Sequence, residues 1–324
     1  MSDKTIGNGT LKQHRWVMNE PQIPFSCEQL YCDDNLMVVD KPHFLASMPR
    51  GMWYRQTALI QMREKTGNEE LSLAHRLDRA TAGVLVMTTH KSVRGAYQKL
   101  FESRAVHKMY ECVASDELAR ALVNPRRGEQ LVQRLNEDGM HCAQFVAVHE
   151  GEDARGARRW GLQLSSYIEK TVGIFQAAEL ELGDREDAGG ADGAENADAV
   201  GGSDGAENAD GAAGVSSVSA HSVNATTLIA VKPQEQLSEH EKQTLASNPH
   251  MAIYQLWPRT GKTHQLRVHM NALNCPMLGD DLYPTVIDRA YDDFSSPLAL
   301  VARRMRFTDP LTGEERVFHS QVEL

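Results

Sequence analysis

The apolar positions of this chain fall into short runs with two different spacings. Val84-Leu85-Val86-Met87 is apolar at every position, the pattern of a strand that anchors its preceding loop to a rigid sheet. Lys108 to Ala114 alternates instead, so that as a strand it sends Lys108, Tyr110, Cys112 and Ala114 to one face. Between these segments the period lengthens. Val93, Tyr97, Leu100 and Phe101 share one side of a helix and Arg94, Gln98, Lys99 and Glu102 the other, which predicts an amphipathic helix capped by Ser92 and ending near Ser103. A second helix is predicted from a Thr263 cap to about Leu273, with Leu266, Met270 and Leu273 inward. Arg267 falls at the margin of that face, where a long side chain can reach a cleft. Val172 to Leu182 and Thr226 to Val231 are rich in apolar or β-branched side chains and read as further strands.

Between those last two strands the pattern stops. Residues 184 to 220 are built mainly from Gly, Ala, Asp, Glu, Asn and Ser, and the string Asp-Gly-Ala-Glu-Asn-Ala-Asp occurs at 192 to 198 and again at 204 to 210. With almost no large apolar side chains to offset its ordering entropy, this insertion is expected to be disordered, extending a hairpin tip within one domain. It also explains the charge. The chain carries a net −10, but residues 184 to 214 hold nine acids and one base, a net −8, leaving only −2 elsewhere. Within the remainder, Lys91, Arg94, Lys99, Arg104 and Lys108 meet a single acid, Glu102, forming a basic strip suited to nucleic acid or to a plain solvated helix face.

A length of 324 residues with 41% hydrophobic content supports a large core, in one domain or two modest ones. No apolar run approaches a membrane span, and Met1-Ser2-Asp3-Lys4 lacks a signal-peptide core, so a cytoplasmic protein is expected. Cys27, Cys32, Cys112, Cys142 and Cys275 form no CxxC pair and no regular framework, which argues against both disulfides and a zinc site. No glycine-rich phosphate loop occurs, so no nucleotide cofactor is expected, and without a recognised ligand spacing no metal is expected either.

The segment His75-Arg76-Leu77-Asp78-Arg79-Ala80-Thr81-Ala82-Gly83 sets a carboxylate between two arginines, ahead of a glycine and the Val84 strand. The cations favour an ionised Asp78, and Gly83 permits a tight turn into the sheet. Alone, such a cluster reads more readily as a surface ion pair at a strand end. Three further segments follow in the chain: Lys108-Met109-Tyr110, then Arg259-Thr260-Gly261-Lys262-Thr263-His264-Gln265-Leu266-Arg267-Val268-His269, then Gly279-Asp280-Asp281-Leu282-Tyr283. In this order they resemble the four motifs of RluA-type RNA pseudouridine synthases. Asn35 to Pro42 is similar to that family's first strand and its Lys-Pro turn, and the resemblance covers roughly residues 25 to 324 apart from the insertion.

The resemblance implies an α+β pseudouridine synthase fold, with a large, mostly antiparallel mixed sheet carrying helices around a central RNA cleft. It implies one catalytic domain over 26–324 after an extension, 1–25, too short for the small S4-type RNA-binding module of many relatives. Asp78 matches the catalytic aspartate, whose attack on C1′, attack on C6, or assistance to a glycal intermediate are all open. Tyr110 matches the tyrosine that stacks on the target base, Arg267 the basic residue that pairs with the aspartate, and Leu300 the apolar residue beneath the tyrosine. Arg76 is implied to fill the space of an extruded base, with His75 orienting the loop and Arg79, Lys108, Lys262, His264 and Gln265 as further RNA contacts. The implied partner is ribosomal or transfer RNA, with no obligate protein partner and a monomeric enzyme. Ala82, Lys262 and Val301 depart from the family's usual Ser, Arg and His. Two other readings compete. A metal-dependent hydrolase using Asp280, Asp281, Asp288, Asp292 and Asp293 lacks a recognised ligand spacing, and a catalytically silent RNA-binding protein would be expected to have lost Asp78, Tyr110 or Arg267.

Overall fold

The computed structural model describes residues 20–148, 159–182 and 221–324. The duplicated acidic segment, and with it the expectation of disorder over 184–220, lies outside the described residues. The first strands are β1 (Glu28–Cys32), β2 (Leu36–Lys41), β3 (Ser72–Leu73), β4 (Ala82–Thr88) and β5 (His107–Ser115). They are followed by β6 (His141–Val148), β7 (Arg159–Glu169), β8 (Ala178–Leu180), β9 (Ala225–Val231), β10 (Met251–Pro258), β11 (Leu300–Thr308) and β12 (Glu315–His319). They join in one mixed sheet of order β1-β2-β4-β11-β5-β10-β9-β7-β6, with β12 beside β11, β3 beside β4 and β8 beside β7. The β4–β11 pair is parallel and the neighbouring ladders are antiparallel.

Both β2 and β4 are buried along their whole length, which accounts for their unbroken apolar runs. Successive side chains go to opposite layers. Met37, Val39, Leu85 and Met87 pack on one side with α1 (Ala58–Thr66), while Leu36, Val38, Val84 and Val86 pack on the other against Tyr97 of α2 (Lys91–Glu102). A third cluster lies under β5, β10, β9 and β7. It takes Leu118 and Leu122 from α3 (Glu117–Leu122), Leu135 from α4 (Pro125–Glu137) and, beyond α5 (Glu239–Ser247), Leu266 and Met270 from α6 (Gln265–Ala272). Tyr110 packs half-buried against both this cluster and the α1 layer, so it stands at the seam between them.

Three sequence expectations need correction. Helix α2 begins at Lys91 with His90 in the cap position instead of Ser92. The Lys91 backbone N–H donates to the Glu70 carboxylate at 3.1 Å, so a distant side chain does the work that a Ser92 cap was expected to do. The strand expected over Val172 to Leu182 shrinks to β8, because Val172, Ile174 and Phe175 sit in an exposed turn. Finally, β8 and β9 are not the two arms of one hairpin: each pairs with β7, β8 at Tyr167–Glu169 and β9 at Gly161–Ser166.

Candidate active site

Asp78 lies in the loop between β3 and β4, and that loop is held from below by residues far away in sequence. Ser47 donates to the Leu77 carbonyl at 2.6 Å and accepts from the Leu77 N–H at 3.0 Å. Lys41, fully buried at the end of β2, donates to the carbonyls of Leu45 at 2.7 Å, Pro42 at 2.9 Å and Arg79 at 3.4 Å. Burial pushes the Lys41 ammonium down to about 7, despite the opposing influence of Asp78. His43 Nδ1 meets the Ala80 carbonyl at 2.9 Å. These clamps leave Asp78 half-buried at the top of the loop.

Gly83 explains how the loop enters the sheet. Its φ is +112°, and a Cβ placed there would lie 2.4 Å from the Ala302 carbonyl oxygen, so only glycine lets β4 approach the β11 backbone so closely. His75 points back into the fold: its Nε2 accepts the Val86 N–H at 3.1 Å and its ring stacks on Phe101 with centroids 4.7 Å apart. Burial and the nearby Lys108 lower its pKa to about 3, so it is a neutral acceptor that orients the loop. That stack brings the C-terminal end of the basic helix α2 against the aspartate loop. Arg76 is exposed.

Asp78 lies near enough to Tyr110, His264 and Tyr283 for its charge to act on each of them. Burial and the Asp78 carboxylate both raise the Tyr110 hydroxyl above the ordinary tyrosine range, keeping it a neutral phenol. Leu300 is registered against Cys112 on β5, the residue two beyond Tyr110 on the same face, and belongs to the cluster on which the tyrosine packs. Lys108 is half-buried, its ammonium lowered by desolvation, and its Nζ lies 4.0 Å from where a Cβ on Gly261 would be. Lys262 is exposed on that same turn. His264, in a left-handed conformation with φ +57°, takes the cap position of α6 in place of the expected Thr263, and its side chain meets the Tyr283 hydroxyl at 3.1 Å instead of capping the helix.

Two candidates occupy other places than expected. Arg267 is not marginal but 3% exposed, and its partner is not Asp78. It donates through Nε to Asp280 at 2.8 Å, through Nη2 to the other Asp280 oxygen, and to Asp281 at 2.9 Å. The reason is the Gly279 turn, whose φ of +76° brings Asp280 under α6; a Cβ there would meet the Pro297 carbonyl at 2.0 Å. Gln265 is also buried, accepting from Thr260 Oγ1 and the Lys262 N–H while donating to the Thr226 carbonyl and Thr227 Oγ1. With its amide fully engaged, it shapes the Thr260–His264 turn and is not available to RNA.

Lys41, Ser47 and His43 were not expected as site residues. The signal for Lys41 was a lysine closing an apolar run; nothing in the sequence marks the other two.

A family model described as RNA pseudouridylate synthase matches residues 35–272. The chain belongs to that family. Among its relatives, the dual-specificity RNA pseudouridine synthase RluA of Escherichia coli strain K12 is 33% identical over 307 residues, covering 94% of this chain and 97% of that protein. The Vibrio parahaemolyticus protein of the same name is 25% identical over 294 residues, covering 90% and 81%. A solved structure of human RNA pseudouridylate synthase domain containing 4 aligns over 91% of this chain and 88% of its own, at 21% identity and a TM-score of 0.48. The enzyme is therefore an RluA-type RNA pseudouridine synthase, an isomerase acting on uridine in RNA. Among the described residues, no helix is long and apolar enough to cross a membrane.

Proposed function

We propose that Asp78 is the catalytic carboxylate of this synthase and that its RNA is a structured ribosomal or transfer RNA. The reading is carried by a contrast in the site. Among the described residues Asp78 forms no ion pair, whereas its neighbours Asp280 and Asp281 are both held by Arg267. A carboxylate fixed through its backbone but unclaimed at its oxygens suits contact with a reacting sugar. The choice of RNA is supported by two relatives: the dual-specificity RNA pseudouridine synthase RluA, and a ribosomal large subunit pseudouridine synthase D that is 33% identical over 114 residues.

Conversion of uridine to pseudouridine breaks the N1–C1′ bond, turns the uracil while it is held, and forms a C5–C1′ bond with loss of the C5 proton. No redox equivalent is consumed. In this reading Asp78 acts on the sugar, the Tyr110 ring stacks on the base above Leu300, and the Tyr110 hydroxyl assists proton removal. Arg76, exposed beside Asp78, fills the place of the extruded base, while Lys108, Lys262, His264 and the α2 strip meet the backbone. The enzyme works as a monomer in the cytoplasm, without an obligate protein partner.

The test is pseudouridine mapping of total RNA with and without the protein, followed by assays of purified Asp78→Asn on the mapped substrate. Conversion should disappear while binding falls less than about threefold, since most affinity comes from phosphate contacts. EDTA should leave the wild-type rate unchanged. An active Asp78→Asn enzyme would overturn the assignment.

A further inference from the structure

Arg79, the residue after Asp78, is placed in a way the reaction at the uridine does not explain. Its guanidinium lies 5.0 Å from the Trp53 ring centroid and 6.0 Å from that of Phe44, and one Nη2 hydrogen goes to the Tyr291 carbonyl at 3.2 Å. The arginine is half-buried, its Nε has no hydrogen-bond partner among the described residues, and no carboxylate lies within ion-pairing distance of it there. Asp281 acts on it only at longer range and is itself claimed by Arg267. A partly desolvated cation without a counter-ion is costly unless an anion arrives to complete it.

The surroundings indicate what that anion is attached to. Trp53 is set by a tight turn in which Arg50 and Trp53 exchange backbone hydrogen bonds at 3.0 and 3.1 Å around Gly51. It meets Tyr291 edge-on at 6.1 Å, and the Tyr291 residue is 55% exposed. Trp53, Phe294 and Tyr110 pack against the same apolar layer, so this aromatic group and the tyrosine proposed to hold the target base share one support. A flat cation beside an exposed aromatic ring is the chemistry that binds an unpaired nucleotide, through its phosphate and its base together.

We propose that Arg79, Trp53 and Tyr291 form a docking platform for the nucleotide adjacent to the target uridine: Tyr291 stacks on its base and the Arg79 guanidinium, held flat by Trp53, takes its phosphate. The inference rests on the reading of Asp78 and Tyr110 as the reaction centre. It adds a requirement that this neighbour leave the helical stack with the uridine, so the enzyme selects loops or bulges over continuous duplex.

The experiment uses the full chain and a synthetic stem-loop RNA carrying the mapped uridine. Parallel RNAs carry an abasic residue, or an uncharged methylphosphonate linkage, on the 5′ or the 3′ side of that uridine. Tyr291→Ala should weaken binding of the unmodified RNA by about tenfold, Tyr291→Phe by less than about twofold, and an abasic neighbour on one side should cost the wild type as much as Tyr291→Ala does. Combining Tyr291→Ala with that abasic RNA should add nothing. Arg79→Gln should likewise be insensitive to the methylphosphonate that weakens wild-type binding, and should lower the salt slope by about one ion. Additive losses in both combinations would overturn the platform even if the wild type converts its substrate. Failure of the wild type to form pseudouridine in any RNA would instead strike the reading of the reaction centre. Tyr291 is exposed, so its variants test the contact without disturbing the core.

Discussion

Asp280→Asn separates two views of Arg267. Family resemblance pairs this arginine with the catalytic aspartate, whereas in the structure its guanidinium is bound to Asp280, with Asp281 as a second partner. The Arg267 and Asp280 side chains are 3% and 1% exposed, so the pair lies in low dielectric, and Asp280 also accepts the N–H groups of Leu282 and Tyr283 at 2.9 Å each. An asparagine keeps an acceptor for that turn but removes the charge facing the arginine. Breaking a buried pair costs about 3–5 kcal/mol; Asp281, 36% exposed, remains as a weaker partner, which places the expectation near the lower end, about 3 kcal/mol. For a domain of about 300 residues, with an unfolding entropy of about 2.1 cal/mol/K per residue, that is a fall in Tm of roughly 4–5 °C. The assay is urea and thermal unfolding of the wild type, Asp280→Asn, Arg267→Met and the double variant. The cycle should return a coupling of about 2 kcal/mol or more, while the parallel cycle of Asp78→Asn with Arg267→Met should return less than about 0.5 kcal/mol. The reverse ranking would refute the argument and restore Asp78 as the partner.

Three other outcomes are expected. Gly83→Ala should destabilise the fold by roughly 2–4 kcal/mol, measured by urea unfolding, because its Cβ would meet the Ala302 backbone in a strained conformation; a loss under about 0.5 kcal/mol would show that β4 can retreat. His141 sits between Asp138 at 2.6 Å and Glu179 at 3.1 Å: burial disfavours its charge, but the two carboxylates outweigh burial and raise its pKa. Its contribution is therefore complete below the unfolded value of about 6.5 and is lost as pH rises through the higher folded value, so His141→Gln should cost more stability at about pH 5.5 than at about pH 9. A pH-independent cost would contradict the ion pairs. Arg76→Ala should slow single-turnover conversion of a structured substrate more than that of a flexible one with the same uridine, since unstacking costs a few kcal/mol; equal fractional losses would remove its role in extrusion.

The fold was legible where pattern and burial coincide. Val84 to Met87 is apolar throughout because β4 is covered on both faces, and the alternation of β5 places Tyr110 and Lys108 together because one side of that strand meets the cleft. It was illegible where an end or a pairing depends on a distant residue. The cap of α2 is completed through Glu70, which no local capping signal at Ser92 could reveal, and the apolar side chains of 172 to 175 imitate a strand although the turn exposes them. Local composition cannot distinguish an apolar residue that is buried from one that is displayed.

The site divides along the same line. Its motif residues were readable because the chemistry proposed for Asp78 and Tyr110 tolerates few side chains; what holds the Asp78 loop was not, because its supports act through backbone atoms. Ser47 grips a carbonyl and an N–H, Lys41 gathers three carbonyls, and His43 meets a fourth, contacts that leave no pairwise pattern of side-chain types. Arg267 shows the converse error. Its charge was readable and its partner was not, since three acids, Asp78, Asp280 and Asp281, lie near enough on paper to claim it. The turn at Gly279 decides among them by bringing two carboxylates beneath α6. That choice leaves Asp78 without an ion pair among the described residues, while Arg267 occupies Asp280 and Asp281 and fixes the turn that carries Tyr283, whose hydroxyl meets His264.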